Sequence, residues 1–419
     1  MRIISYIKDL MYERKWFNRA AINYNMLLAI IFLCVFGVIM IYSASYYYAQ
    51  TAYGYESSYF LKNQAKFVAV GFVMMIALSF IDYHVWKELS GFAVFGAFAL
   101  VLLLLVPGIG RASHGAVRWL RFGPIQFQAA EPIKLCMIMF LAYFIDKTKM
   151  DTMKKAVIAL VISGLLSVLV WQISDNMSTA IVIMGICILL IFIANPKMNA
   201  KICIGVVIGL LVFLLIGVFV VDQIIPASEN ENFRITRIRA WLHPTDPLYA
   251  SDEAMQPAQA LYAIGAGGLF GKGLGQSLIK FRLPEPHNDY ILAIIAEELG
   301  IFGVVLLMFL FVYLLYQIYR IAQNARDLFG KMIAAGVFAQ IALQVVLNVA
   351  VVSSVIPSTG VTLPFISSGG ASVIFLMAEL GVVFSVDKWT KEQGYYREAK
   401  KYVEQQEKKR NKKYQGGYL

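Results

Sequence analysis

The chain has 419 residues, of which 59% are apolar and 15% charged, with a mean hydropathy of +0.66. Soluble globular chains carry about 25% charged and roughly 45–50% apolar residues, so a disordered protein, a collagen-like fibre and a disulfide scaffold are excluded and an ordinary soluble enzyme is disfavoured. The formal charge of +11, from 37 Lys+Arg against 26 Asp+Glu, suits a cytoplasmic membrane surface better than nucleic acid.

The sequence predicts an all-α polytopic membrane protein with ten transmembrane helices. A span needs about 20 apolar residues. The candidates centre near 26–44, 65–82, 92–107, 132–146, 156–173, 178–195, 202–221, 299–319, 333–354 and 371–387. The fourth and tenth carry charges. The first follows a basic leader (Arg14, Lys15, Arg19) and precedes Ser43-Ala44-Ser45, but so many later spans favour an uncleaved anchor over a signal peptide. The larger share of lysine and arginine falls inside if both termini are cytoplasmic. Residues 1–387 are then one transmembrane domain, with a long outer loop at 222–298 between spans seven and eight. Residues 388–419 form a basic cytoplasmic tail suited to anionic lipid or a docking partner. Cys34, Cys136, Cys187 and Cys203 lie in apolar runs, and His84, His114, His243 and His287 are scattered, so no zinc or iron–sulfur site is indicated.

The polar interruptions carry the chemistry. In 107–135, Arg111, Arg118 and Arg121 sit outside, against the topology rule. Glu131 and Lys134 share a helix face at the mouth of the fourth span, as a functional pair or a packing ion pair. Asp175 and Asn176 break two apolar runs, which favours a tight turn. In 232–244, Arg234, Arg237 and Trp241 fall on one face of a basic amphipathic segment. The glycines of 256–277 permit close backbone approach to a ligand or a turn between short helices. Their Gly-Lys is not followed by Ser or Thr, so they make no Walker loop.

The sharpest segment is RLPEPHNDYILAIIAEELGIFG, 282–303. Two prolines flank Glu285 and hold the chain out of helix. Asp289 stands where an apolar helix begins, as a general base or as an N-cap shared with Asn288. Glu297 and Glu298 lie in a run too short to span before Gly300, which predicts a re-entrant or interfacial helix whose acids need cations or water. The polar segment SSVIPSTGVTLPFISSGGAS, 353–372, should line a cavity rather than face lipid. Together these elements suit an outward-facing site for a polyprenyl-phosphate-linked substrate, in an enzyme or in a lipid transporter.

The strings AIGAGGLFGKGLGQS, LPEPHNDYILAIIAEELGIFG and IPSTGVTLPFISSGGAS resemble the SEDS family of FtsW, RodA and SpoVE, over roughly residues 22–387. The resemblance implies a peptidoglycan glycosyltransferase of the bacterial cytoplasmic membrane, its site facing outside. It implies lipid II as substrate, a class B penicillin-binding protein as transpeptidase partner, and further division or elongation proteins. Asp289 corresponds to the family's essential aspartate. Arg118, Trp119, Glu131, Lys134, Ser367, Gly369 and Gly370 match family positions. Lys272, Glu285 and His287, within the quoted strings, complete the expected substrate-binding set. No tightly bound cofactor is implied, the metal ligands are unknown, and a divalent cation (Mg or Mn) is an option for neutralising the pyrophosphate.

Three motifs depart from the family. Ala129-Ala130-Glu131 replaces Pro-Ser-Glu, and Ser367-Ser368-Gly369-Gly370 replaces Ser-Tyr-Gly-Gly. A family aspartate falls on Asn176, with Asp175 one residue earlier, which leaves open whether Asp175 takes its place. The charged tails lean towards the division-type branch. A lipid II flippase and a non-catalytic divisome scaffold are the alternative functions.

Overall fold

The computed structural model describes residues 22–54, 56–113, 116–123, 125–224, 233–243 and 255–391. The basic leader, most of the basic tail, His114 and two stretches of the long outer loop lie outside the described residues.

Helix α1 (Tyr24–Tyr53) starts at Asn23, whose side chain accepts the Met26 N–H, and ends at the left-handed Gly54. Helix α2 (Tyr59–Phe80) follows. The short α3 (Tyr83–Ser90) and α4 (Ala93–Leu103) then meet at a 68° bend. Next come α5 (Ala130–Thr148), α6 (Met153–Ser174), α7 (Met177–Ala194) and α8 (Pro196–Phe219), the last running into a π turn at Val220–Ile224. The outer segment holds α9 (Phe233–Leu242) and α10 (Met255–Gly267). Helices α11 (Ile291–Asn324), α12 (Leu328–Val352) and α13 (371–391) complete the described chain.

Among the described residues, seven helices are long and apolar enough to cross a membrane, or eight if the bent α3–α4 pair is one span. This is a multi-pass membrane protein. Helix α12 is the most enclosed of the seven and packs against α5, α7 and α11, whereas α8 lies almost wholly on the outside. Helices α5 and α13 carry charge for a reason the packing makes plain. Glu131 and Lys134 on α5 and Glu379 on α13 are all buried, turned into the bundle and away from lipid.

One part of the chain departs from the all-α expectation. Residues 110–128 form a three-stranded antiparallel sheet of β1 (Gly110–Ser113), β2 (Ala116–Phe122) and β3 (Ile125–Gln128). Trp119 pairs with Arg111 on one side and Gln128 on the other. The alternation Ile125-Gln126-Phe127-Gln128 after Gly123 is a strand signal. As cross-strand partners, Trp119 and Gln128 share one face of the sheet.

Candidate active site

The site is built on a broken helix. Helix α11 is interrupted at Gly300, whose φ of 67° and ψ of −166° are a conformation essentially reserved for glycine. The arm 291–299 is therefore a short helix set off from the rest of α11. Such a break exposes helix-end carbonyls and amides that need partners. The glycine loop after α10 supplies them. The amides of Lys272 and Gly273 donate to the carbonyls of Glu297 and Glu298, both at 2.9 Å. The amides of Ile301 and Phe302 donate to the carbonyls of Gly268 and Leu269, at 3.0 and 3.2 Å. The close approach these glycines allow is thus to the α11 backbone.

Side chains tighten the same joint. Glu297 and Glu298 are fully buried. Lys272 meets Glu297 at 2.6 Å and Lys280 meets Glu298 at 3.1 Å. Ser277 Oγ donates to Glu297, and Ser43 Oγ on α1 donates to Glu298. The amides of Leu278 and Ile279 complete the Glu297 shell at 3.2 Å each. Four buried or half-buried charges in register hold the short arm rigid.

That arm carries the 282–290 segment at its start. Tyr290 occupies the N-cap position of the helix, with no side-chain capping bond of its own. Asn288 Nδ2 donates to Glu285 Oε2 at 2.6 Å, across a turn in which Glu285 has φ 49°. The segment is pinned from behind. Ser367 Oγ donates to Asn288 O at 2.9 Å, the Ser368 amide donates to His287 O at 2.9 Å, and Asn348 Nδ2 donates to Asp289 O at 2.8 Å. Asp289 faces a cavity of about 460 Å³, near the start of a helix whose partial positive charge favours a carboxylate.

The opposing wall comes from β2, α5 and α7. Arg118 donates to the carbonyls of Ser174 and Asp175, at 3.2 and 3.0 Å, and lines the cavity beside Trp119. Glu131 and Lys134 form a buried ion pair at 2.9 Å. Behind them Gln340 Nε2 donates to Glu379 at 2.7 Å. At the α6–α7 corner, Asp175 is left-handed, as a tight turn requires. Asn176 accepts the Thr179 N–H at 3.0 Å as N-cap of α7 and also lines the cavity. Asp175 contributes its carbonyl to Arg118 and is not part of the lining.

Of the residues singled out from the sequence, the cavity gathers Arg118, Trp119, Glu131, Lys134, Glu285, His287, Asp289 and Gly369. Three stand behind it. Ser367 pins Asn288, Gly370 packs against the Phe67 ring, and Lys272 belongs to the Glu297 pair. The described side chains of α9 stay out of the lining as well. Arg239 on it donates to Val221 O at 3.1 Å and Trp241 Nε1 donates to Ser354 O at 2.8 Å. Segment 353–372 does line the cavity, through Gly360, Thr362 and Ser372 among others. Among the described residues, no three or more His, Cys, Asp or Glu side chains converge as a metal site.

The family described as Cell cycle protein, which groups FtsW, RodA and SpoVE, matches residues 24–392. The chain belongs to this family. It is 36% identical over 376 residues to stage V sporulation protein E of Bacillus subtilis strain 168, covering 88% of this chain and 98% of that one. It is 35% identical over 368 residues to a probable peptidoglycan glycosyltransferase FtsW of Geobacter sp. strain M18, covering 86% and 95%. Its fold resembles a chain of a peptidoglycan synthase complex (TM-score 0.70, 23% identity, 88% and 99% covered). It also resembles the rod shape determining protein RodA of Thermus thermophilus (TM-score 0.59, 24% identity, 88% and 97% covered).

In this FtsW/RodA/SpoVE chain the cavity includes residues that sequence reasoning passed over. Tyr48, Tyr59 and Phe60 come from α1 and α2, and Gln344 from α12. Gln340, Gln344 and Asn348 recur every four residues, a polar stripe on an apolar helix that was the available signal.

Proposed function

We propose that the chain is a peptidoglycan glycosyltransferase that polymerises lipid II into β-1,4 glycan strands. The observation that carries this reading is one cavity with an acidic wall, Asp289 and Glu285, and an opposing wall bearing Arg118 and the Glu131–Lys134 pair. Asp289 takes the proton of the acceptor sugar's 4-hydroxyl. The oxygen attacks the anomeric carbon of the donor, whose bond to the pyrophosphate oxygen breaks. Undecaprenyl pyrophosphate leaves with the electron pair and the configuration inverts from α to β. A pyrophosphate leaving group needs charge neutralisation rather than a proton, so a lone carboxylate suffices. Arg118 and Lys134 are suited to that charge. Among the described residues no three or more His, Cys, Asp or Glu side chains converge to hold a divalent cation, so a Mg or Mn ion would take pyrophosphate oxygens as its chief ligands.

The surrounding assembly follows the same reading. The seven apolar helices, the bent α3–α4 pair and the charge-bearing α5 and α13 make ten spans in the bacterial cytoplasmic membrane. Both termini are then cytoplasmic and the cavity faces outside. This reading calls for a class B penicillin-binding protein as crosslinking partner. The synthase complex that shares this fold supports it.

The test is labelled lipid II with the purified protein, with and without its class B partner, comparing wild type with Asp289→Ala. Polymer from wild type alone is expected. Polymer from both would remove Asp289 as the base. No polymer from either, with partner and divalent cation present, would favour a scaffold or a flippase.

A further inference from the structure

His287 is a polar group on the acidic wall that the mechanism leaves without a task. It is 3% exposed, and its ring sits 4.2 Å from Phe60 and 5.3 Å from Tyr48, centroid to centroid. The Ser368 amide fixes its carbonyl at 2.9 Å. Its Nδ1 is sealed from solvent and has no hydrogen-bond partner among the described residues. A buried N–H without an acceptor is more costly than a buried lone pair, so the proton belongs on Nε2. His287 lines the cavity, and with Nδ1 sealed the Nε2 edge is the one it can offer. Burial in this aromatic clamp also pushes the imidazole down to about 4, which keeps it neutral.

We propose that His287 is a neutral Nε2–H donor to an uncharged oxygen of the acceptor sugar, positioning the attacking hydroxyl at Asp289. The inference rests on the polymerase reading of this cavity. The acidic neighbours decide the class of ligand. Glu285 and Asp289 lie two residues to either side of His287, and they repel a pyrophosphate but accept from sugar hydroxyls. Arg118 and Lys134, on β2 and α5, are left for the anionic donor. Neutrality matters as well. An imidazolium at this place would stabilise the Asp289 carboxylate and weaken it as a base.

The experiment compares wild type, His287→Gln, His287→Asn and His287→Phe in lipid II polymerisation over a lipid II concentration series, with thermal unfolding of each. Glutamine places its amide N–H where Nε2 lies, asparagine where Nδ1 lies, and phenylalanine keeps the packing alone. Gln is expected within about 3-fold of wild type in kcat/KM, and Asn and Phe about 10- to 100-fold lower, as loss of a substrate hydrogen bond would give. The loss should fall on KM and kcat together, with unfolding temperatures unchanged in Gln and Asn. Wild-type kcat/KM in the Phe variant overturns the inference while leaving the polymerase reading intact. Rescue by Asn rather than Gln, or equal loss in folded Gln and Asn, overturns it too. If Phe does not fold, the Gln–Asn comparison decides. No polymer from wild type, with partner present, overturns the polymerase reading and this inference with it.

Discussion

Asn348, in the last turns of the apolar helix α12, holds the backbone of Asp289: its Nδ2 donates to Asp289 O at 2.8 Å and to Val361 O at 2.7 Å. One amide group thus ties the segment bearing the proposed base to the 353–370 wall. Asn348 is fully buried, and its Nδ2 gives a hydrogen bond to each carbonyl. Asn348→Leu keeps the volume roughly and removes the donor. Losing the two hydrogen bonds costs about 1 kcal/mol each. The expected result is a folded protein with a lowered unfolding temperature and a polymerisation rate down by about 100-fold, as a misplaced catalytic group gives. An unchanged rate with lowered stability would make Asn348 a fold residue only.

The Glu131–Lys134 pair gives a sharper separation of stability from activity. Both side chains are buried, and the pair spans 2.9 Å. Removing one partner strands the other charge, at about 3–5 kcal/mol. Lys134→Met alone should therefore lose folded protein in detergent. The double variant Lys134→Met with Glu131→Gln leaves no charge stranded and should recover the fold. It should not recover full polymerisation, because the cavity has lost one of the two cations suited to the leaving group, with Arg118 remaining. Size-exclusion profiles and lipid II turnover, measured on the single and double variants, check both halves.

What the sequence discloses and what it hides follow different physics. Spans are legible because hydropathy is a sum over some 20 residues, robust to any single one. The need of Glu297 and Glu298 for cations was equally legible, since an acid in an apolar run has few alternatives. Their actual partners, Lys272 and Lys280, lie in a loop 18–25 residues earlier, and only the fold brings them there. The same limit explains Lys272, which reads as a ligand for an anionic substrate and is engaged by Glu297. The glycines of 265–275 signalled close approach correctly but not to what; the partner is a helix break, which no local pattern names. Asn176 reads as a turn residue and is one, yet its cap geometry also turns it to the cavity. The β1–β3 sheet escaped because three short strands inside a membrane protein give a weak signal beside ten apolar runs.

The helix break makes a falsifiable pair of glycine substitutions. At Gly300 a Cβ would lie 2.4 Å from both Gly271 N and Leu269 O, all backbone atoms that cannot yield cheaply, and φ is +67°. Gly300→Ala should cost more than the roughly 1–3 kcal/mol of backbone strain alone and strongly reduce folded protein. Gly265, inside α10, has open space around its Cβ position. Gly265→Ala should be neutral or stabilising by up to about 1 kcal/mol. Expression and unfolding temperature of the two variants should diverge; similar behaviour would mean that the break is not where the stability of the short arm resides.

Acid should loosen the cavity wall through His287. Burial pushes its folded pKa from 6.5 to about 4, whereas the unfolded chain protonates it normally. The sign follows from proton counting. Between pH 6.5 and about 4 the unfolded state binds a proton that the folded state refuses, so stability falls as pH falls. The full contribution is present above about pH 6.5 and is gone by about pH 4, an effect of roughly 3 kcal/mol at most. Other groups titrate in the same range, so the measurement is a difference. Unfolding temperature is followed from pH 7.5 to 4.5 in wild type and in His287→Gln, which cannot titrate. Wild type should lose more stability than the variant, with the gap opening below pH 6.5. Parallel curves would mean that the imidazole takes up its proton in the folded state as readily as in the unfolded one, and that the aromatic clamp does not hold it neutral.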